Sequence, residues 1–223
     1  MKTISHSAKK GFTLLELLIV IAVIAVLSAI LIFILDPTET LAKARDTQRI
    51  SDMGSLKTAI GVYVTGTTTA SLDGVNGASR NNKCLGGSGT KSIFPSIDSG
   101  TTLTFGIVTG FTAFSQVAEA NSSLTDGTGW IPVNLSGIVG GSPISNMPID
   151  PINTVAVAAT PANTDLYYRY ACRKSPLTFE LDAKLESIAF TTTDNRATKD
   201  GGNNSTLYEV GTDLAILPSS GAF

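Results

Sequence analysis

The sequence predicts an α+β fold in which a long N-terminal helix packs against a C-terminal antiparallel sheet. A continuous apolar segment runs from Leu14 to Leu35 and is followed by a segment with helical periodicity. At Thr65 the composition changes abruptly to Gly, Thr, Ser and Asn. Near the end, residues 177–185 alternate between apolar and polar side chains, which is typical of a β-strand with one buried face. The 223 residues are sufficient for one domain with a sizeable core in addition to a helical stalk.

The first half of the helix is predicted to be apolar and to cover residues 12–36. Between Leu14 and Leu35, only Glu16 and Ser28 are not apolar. A segment of this length can cross a bilayer, which requires about 20 residues. A carboxylate inside such a segment is unfavourable by roughly 2–4 kcal/mol on insertion scales, so we expect Glu16 to have a positively charged partner.

The second half of the helix, residues 37–64, is predicted to be amphipathic. The pair Asp36-Pro37 predicts that one helix ends and another begins, because Asp is a good N-cap and Pro is tolerated in a first helical turn. The apolar residues that follow helical spacing are Met53, Leu56, Ile60, Tyr63 and Val64. This stripe is too short to favour a coiled coil and predicts the face on which a globular domain packs.

The remaining residues, 65–223, are predicted to form a head rich in Gly, Thr, Ser and Asn. Residues 66–100 predict a long irregular connection. Alternation of Leu103, Phe105 and Ile107 predicts a short strand, and residues 111–120 predict a short helix.

The clearest sheet signal in the head is a hairpin. Residues 166–172 and 177–185 predict two antiparallel strands joined by a turn at residues 173–176, and residues 207–217 predict a third strand. Arg169 and Glu180 are expected to form an ion pair across the hairpin.

The N-terminal residues resemble those of a known family. The segment Lys9–Glu16 (KKGFTLLE), followed by the apolar run, resembles the N-terminus of type IV prepilins and the related pseudopilins. The resemblance implies a leader peptide of residues 1–11, cleavage after Gly11 by a prepilin peptidase, and N-methylation of the new N-terminal residue, Phe12. It also implies that the apolar helix first anchors the protein in the membrane and later forms the core of a filament. In that filament, Glu16 is expected to pair with the terminal amine of a neighbouring subunit.

Elementary electrostatics favours the same role for Glu16. Cleavage after Gly11 leaves an ammonium group at Phe12, four residues before Glu16, and in a helix this spacing places both groups on one face. Opposite charges in a dry core can satisfy each other, whereas either alone is costly. Lys9 and Lys10 hold the leader on the cytoplasmic side. The alternative is that Glu16 only complements the dipole at the N-terminus of its helix.

Two further segments resemble pilin sequences. Residues 44–49 (ARDTQR) resemble the helix of some bacterial pilins, and residues 147–153 (MPIDPIN) resemble a loop of pseudopilins and of some Gram-positive-type pilins. A C-terminal loop of the pseudopilins can bind calcium. The spacing of Asp194, Asp200 and Asp213 matches no calcium loop, so we predict no metal site and no cofactor.

The cysteine pattern favours a disulfide between Cys84 and Cys172, the only two cysteines. An exported head lies in an oxidising environment. The bond would close a long loop and contribute roughly 4 kcal/mol in the chain-entropy model. Two buried free thiols are the alternative interpretation.

The sequence does not favour an enzyme. Its single histidine, His6, lies in the predicted leader, and there is no P-loop or dinucleotide-binding motif. The formal net charge of −2 gives no general attraction to nucleic acid. The local basic cluster of Arg169, Arg173 and Lys174 is interpreted as a solvated strand end.

These observations predict a structural subunit of a type IV pilus-like surface filament. The expected partners are other copies of the chain or related subunits, the prepilin peptidase and N-methyltransferase, and the assembly machinery of the inner membrane. The protein is expected first in the cytoplasmic membrane as a single-pass protein and then in an extracellular filament. The alternatives are a pseudopilin of a type II-like secretion or DNA-uptake system, and a signal-anchored extracytoplasmic binding domain that does not polymerise.

Overall fold

Two helices precede the sheet, and they are separated by a single residue. In the computed structural model, which describes residues 11–74, 82–104, 106, 108 and 110–220, α1 spans Leu14–Leu35 and α2 spans Pro37–Gly66. Asp36 lies between them with a φ of +34°. Its carboxylate accepts a hydrogen bond from the backbone N–H of Glu39, as an N-cap does. The predicted break at Asp36-Pro37 is confirmed.

The chain divides into two compact units, Met1–Leu41 and Ala42–Phe223. The second unit contains five strands within the described residues: β1 (Ser92–Pro95), β2 (Ala113–Phe114), β3 (Arg169–Lys174), β4 (Leu177–Ala183) and β5 (Tyr208–Gly211). Their order in the sheet is β2-β1-β3-β4-β5. Only the β1–β2 pair is parallel, and the other neighbours are antiparallel.

One face of the sheet packs on α2. The stripe residues Met53, Leu56 and Ile60 are fully buried against the same core as Tyr170 and Phe179 of the sheet. Full burial of apolar side chains of this size contributes roughly 1.5–3 kcal/mol each. The α+β architecture and the packing face predicted from the stripe are both confirmed.

The other face of the sheet is also covered. Ala171 of β3 packs with Leu207, Ile216 and Leu217 from the C-terminal segment. The prediction that β4 has one solvent-exposed face is therefore wrong, because Glu180 and Asp182 on that face have no exposed surface. The segment that follows β5 covers the face from which these two carboxylates project. The alternating pattern alone assigned that face to solvent.

The predicted hairpin is confirmed with a tighter turn. β3 continues to Lys174, so only Ser175 and Pro176 connect it to β4. β5 occupies four residues of the longer strand predicted at 207–217. The predicted pair of Arg169 with Glu180 is wrong, because the residue directly opposite Arg169 is Asp182.

Two predictions in the first half of the head fail because strand pairing overrides local propensity. The predicted helix at residues 111–120 is wrong: β2 lies there, paired with β1, and only a short 3-10 turn follows at Glu119–Asn121. The predicted connection over residues 66–100 contains β1. Two residues of the strand predicted at 103–107, Phe105 and Ile107, lie outside the described residues.

Candidate functional site

The N-terminal end of α1 is capped by Thr13. Its backbone is extended, with φ −80° and ψ 150°, and its hydroxyl accepts a hydrogen bond from the N–H of Glu16 at 3.2 Å. The Thr13 carbonyl accepts a second bond, from Leu17 at 3.2 Å. Phe12 therefore precedes the helix in this chain, so it does not share a helical face with Glu16. Pairing between Phe12 of one subunit and Glu16 of another does not require that relation and stays a prediction.

The surface of α1 is apolar on all sides. Residues Leu14–Ile32 form a helix long and apolar enough to cross a membrane, with a mean hydropathy of 3.1 and no buried residue. Leu14 is 81% exposed and Ile24 is 56% exposed. Because exposed apolar surface of this extent is unfavourable in water, α1 needs a bilayer or other apolar helices around it.

A buried ion-pair network holds α2 to two distant segments of the head. Arg49 is fully buried, and its Nε and Nη2 donate to the two carboxylate oxygens of Asp150 at 2.7 and 2.9 Å. Its Nη1 donates to Asp46 at 2.8 Å and to Glu186 at 2.6 Å. The N–H and hydroxyl of Ser187 donate to Asp46 at 2.8 and 2.7 Å. One guanidinium thus joins the helix, the loop before β3 and the segment after β4.

The charges in this network stabilise one another. Burial alone would lower the pKa of Arg49, but the hydrogen bonds and charge of Asp150 outweigh it, so that pKa is raised. Arg45 donates to Glu186 through two nitrogens, each at 2.7 Å. Hydrogen bonds from Arg45, and then from Arg49, lower the pKa of Glu186. The network carries three carboxylates and two guanidinium groups, and backbone N–H donors at Asp46 and Asp150 compensate the remaining charge.

The two internal segments that resemble pilin sequences meet in this network. Arg49 comes from residues 44–49 and Asp150 from residues 147–153. The network includes no histidine. Its geometry orients the head on the helix.

Comparison with protein-family models finds a match between residues 6–32 and the prokaryotic N-terminal methylation motif. The chain carries the prepilin-type motif of type IV pilins and pseudopilins. No curated protein and no solved structure matches the chain significantly. The matched residues include Gly11, Phe12 and Glu16 and most of α1.

The prepilin-type motif supports a protein of the type IV pilin and pseudopilin class. It favours a structural protein. Together with the exposed apolar helix, it is consistent with anchoring in a membrane.

The structure contains the predicted disulfide. Cys84 and Cys172 are bonded and almost fully buried, with Cα atoms 4.7 Å apart. Beside the bond, Leu85 donates to the carbonyl of Cys172 at 2.8 Å and accepts from Lys174 at 2.9 Å. The disulfide therefore fastens the connection before β1 to β3.

The three aspartates considered as calcium ligands make separate interactions. Asp194 pairs with Arg196 and Lys199 at the surface. The carboxylate of Asp200 accepts from the N–H groups of Gly202 and Glu209. Asp213 lies 3.4 Å from Arg173.

The prediction that the basic cluster is a solvated strand end is wrong for Arg169, which has no exposed surface. Its guanidinium lies 3.9 Å from the centre of the Tyr167 ring and donates to the carbonyl of Ala162 at 2.9 Å.

Sequence reasoning missed a group of buried carboxylates on the second face of the sheet. Glu180, Asp182 and Glu209 lie together there. The alternating pattern of β4 correctly placed Glu180 and Asp182 on the same face of the strand. No signal in the pattern indicated that this face would be covered.

Proposed function

We propose that this protein is the structural subunit of a type IV pilus-like surface filament. It is cleaved after Gly11, methylated at Phe12 and assembled through its N-terminal helix. The observation that carries the proposal is the match to the N-terminal methylation motif at residues 6–32, which coincides with an apolar helix exposed on all sides.

In this proposal the apolar helix has two successive environments. It first holds the protein in the cytoplasmic membrane, where the prepilin peptidase and N-methyltransferase acts on it. The assembly machinery of the inner membrane then extracts it, and neighbouring helices replace the lipid, so the burial of apolar surface is retained. The amine of Phe12 and the carboxylate of Glu16 set the axial register between subunits. The head forms the outer surface of the filament.

The test is mass spectrometry of the N-terminal peptide from the native protein, in membrane fractions and in filaments sheared from the cell surface. We expect a peptide that begins at N-methyl-Phe12 in both fractions. A peptide that begins at or near Met1 would instead identify a signal-anchored domain that does not polymerise. Residues 42–44 (Ala-Lys-Ala) formally fit the small-residue site that ordinary signal peptidases cleave, so a start at Arg45 would indicate ordinary secretion and would exclude the filament.

The same fractions separate a pilus from a secretion pseudopilus. A pilus subunit expressed at its natural level is recovered in long sheared filaments. A pseudopilin processed at Phe12 is retained in the envelope fraction, and that result would overturn the pilus assignment while leaving the processing intact.

A further inference from the structure

An aromatic ring with two cations against it marks a surface of the head. Phe190 belongs to the short π-helix Ala189–Thr193, which follows β4. The Lys43 ammonium lies 6.0 Å from the centre of the Phe190 ring, and the Arg196 guanidinium lies 5.4 Å from it. Both cations are exposed, and Ile188, just before the π-helix, is 60% exposed. We call Lys43, Ile188, Phe190 and Arg196 the Phe190 surface.

A small pocket opens beside the Phe190 ring. Its volume is about 210 Å³, and Lys184 and Asn195 are among the residues that line it. The Lys184 ammonium donates to the carbonyl of Thr206 at 3.0 Å, which uses one of its three donors. The side-chain oxygen of Asn195 accepts from the N–H of Thr198, so its amide NH₂ is left for a ligand. A pocket that presents an ammonium and an amide donor suits an anionic group.

The outermost charges around the Phe190 surface are positive. Lys43, Arg196 and Lys199 are all exposed. The neighbouring carboxylates are less exposed: Asp194 pairs with Arg196 and Lys199, and Glu186 pairs with Arg45. Glu39, one turn before Lys43 on α2, and Asp200 are also partly buried. Whatever approaches this surface therefore meets cations and apolar side chains first.

The position of the Phe190 surface in the chain identifies its partner. α2 begins two residues after α1 ends, and Lys43 lies six residues after Pro37, the first residue of α2. At 1.5 Å per residue, this is about 9 Å along the helix. In the proposed function α1 lies in a bilayer, so a lipid surface is always within reach of Lys43. Such tethering gives the lipid headgroups a high effective concentration.

We propose that the Phe190 surface docks on the anionic headgroups of the membrane that α1 anchors, with a lipid phosphate at the pocket beside Lys184. The inference rests on the membrane anchoring of the proposed function and not on filament assembly. The two apolar side chains enter the interfacial layer, and the cations bind the phosphates. The contact holds the head at the membrane until the subunit is extracted.

The electrostatics of Lys184 supports a phosphate at this position. Burial, and after it the charge of Arg169, lowers the pKa of Lys184. The ammonium therefore carries a positive charge that the surrounding protein compensates poorly. A phosphate in the pocket supplies the missing negative charge.

The test places a fluorescent probe beside the Phe190 surface in the full chain, reconstituted into lipid nanodiscs. Thr192→Cys adds one reactive thiol at an exposed position of the π-helix, since Cys84 and Cys172 are joined in the disulfide. The thiol carries a nitrobenzoxadiazole label, and lipids with a nitroxide on the headgroup quench it on contact. We expect strong quenching in nanodiscs of phosphatidylcholine mixed with phosphatidylglycerol and little in phosphatidylcholine alone.

A second label position is the control for proximity. Val139 is 95% exposed, and its neighbour Ile138 lies beside Gly66, the last residue of α2. α2 runs about 35 Å from Lys43 to Gly66. A label on Val139→Cys is therefore expected to show no quenching that depends on phosphatidylglycerol.

Two double variants locate the contact. Each Lys or Arg near an anionic surface contributes a factor of about five to binding, so Lys43→Gln with Arg196→Gln is expected to lower the ratio of docked to undocked heads about 25-fold. Lys57→Gln with Lys174→Gln removes the same charge from exposed positions elsewhere and is expected to leave this ratio unchanged. If the first variant does not fold, salt decides the proposal with the unmodified surface, because high ionic strength screens exposed charges and is expected to release the head.

Three results would overturn the docking and leave the anchoring intact. The first is equal quenching at residue 192 in both kinds of nanodisc, with the chain retained in the disc. The second is a folded Lys43→Gln, Arg196→Gln variant that keeps the complete effect of phosphatidylglycerol. The third is shielding of the probe in neutral detergent micelles that grows with protein concentration, since a second copy of the chain would then be the partner. A chain that does not stay in the nanodiscs would refute the anchoring itself, and this inference with it.

Discussion

Replacing Arg49 by Met tests whether the buried ion-pair network holds the head on α2. Met fills a similar length of side chain but removes the guanidinium that binds Asp150, Asp46 and Glu186. After the change, Asp46 and Asp150 remain buried, with 0% and 2% of their surface exposed, and have lost their positive partner.

The expected cost follows from the carboxylates that are left behind. Breaking a buried ion pair by removing one partner costs about 3–5 kcal/mol. Asp46 keeps its bonds from Ser187, and Asp150 keeps its bond from the N–H of Ile152 at 2.8 Å. Because these donors retain part of the compensation, we expect the lower end of that range, a loss of about 3 kcal/mol. For a chain of this size, that loss lowers the midpoint of thermal unfolding by about 6–12 °C.

The assay is urea unfolding of the full chain in detergent micelles, followed by the fluorescence of Trp130. This side chain donates to the carbonyl of Pro148 at 2.9 Å, so it reports on the loop that carries Asp150. Lys57→Met is the matched control on the same helix. Lys57 is exposed, so its replacement is expected to change stability by no more than about 0.5 kcal/mol.

A double substitution makes the reasoning refutable. If the cost of Arg49→Met arises from unpaired carboxylates, adding Asp150→Asn removes one of them and restores part of the lost stability. A loss below about 1 kcal/mol in the single variant, or fully additive losses in the double variant, would show that the network does not hold the head in this way.

Three further predictions concern assembly, the disulfide and acid. Glu16→Ala is expected to be cleaved after Gly11 normally but to reduce sheared filaments at least about tenfold, a ratio that corresponds to about 1.4 kcal/mol; normal filaments on quantitative immunoblots would contradict the pairing role. Reduction of the Cys84–Cys172 bond is expected to lower the free energy of unfolding by about 4–5 kcal/mol, because the bond closes a loop of 88 residues; unchanged urea midpoints with and without dithiothreitol would refute this. The lowered pKa of Glu186 means that its contribution to stability is complete above the ordinary value of 4.5 and is lost as the pH falls through the lowered folded value. Urea midpoints measured between pH 6 and pH 3 should therefore fall less steeply for Glu186→Gln than for the unmodified chain, and equal slopes would contradict the assignment.

The elements that the sequence predicted well are those with long, regular patterns. The apolar run, the stripe on α2 and the alternation in β4 each extend over enough residues for the period to be unambiguous. The break at Asp36 was predictable because N-capping and the constraint of proline act locally. The helix predicted at residues 111–120 failed because β2 owes its existence to pairing with β1, which is far away in the sequence.

The polar networks of the head could not be predicted in the same way. Arg49 marked a polar face of α2, and nothing in the periodicity of the helix distinguishes a buried guanidinium from a solvated one. Its partner Asp150 lies 101 residues away, so only the folded chain brings them together. Glu180 and Asp182 were assigned to solvent because their cover comes from an irregular segment with no repeating pattern.

The disulfide also sets how far the head can be stretched. A chain under tension can lengthen only by residues that lie outside a closed covalent loop. The bond encloses a separation of 88 residues, which corresponds to about 300 Å of fully extended chain. The part of the chain inside this loop contains β1 and β2. While the bond is intact, a force applied between α2 and the C-terminal end cannot extend this part of the chain. When the head is pulled with the disulfide intact, only β4, β5 and the other segments outside the loop can unfold and lengthen, so the extension is short. The long extension becomes accessible only after the disulfide is reduced.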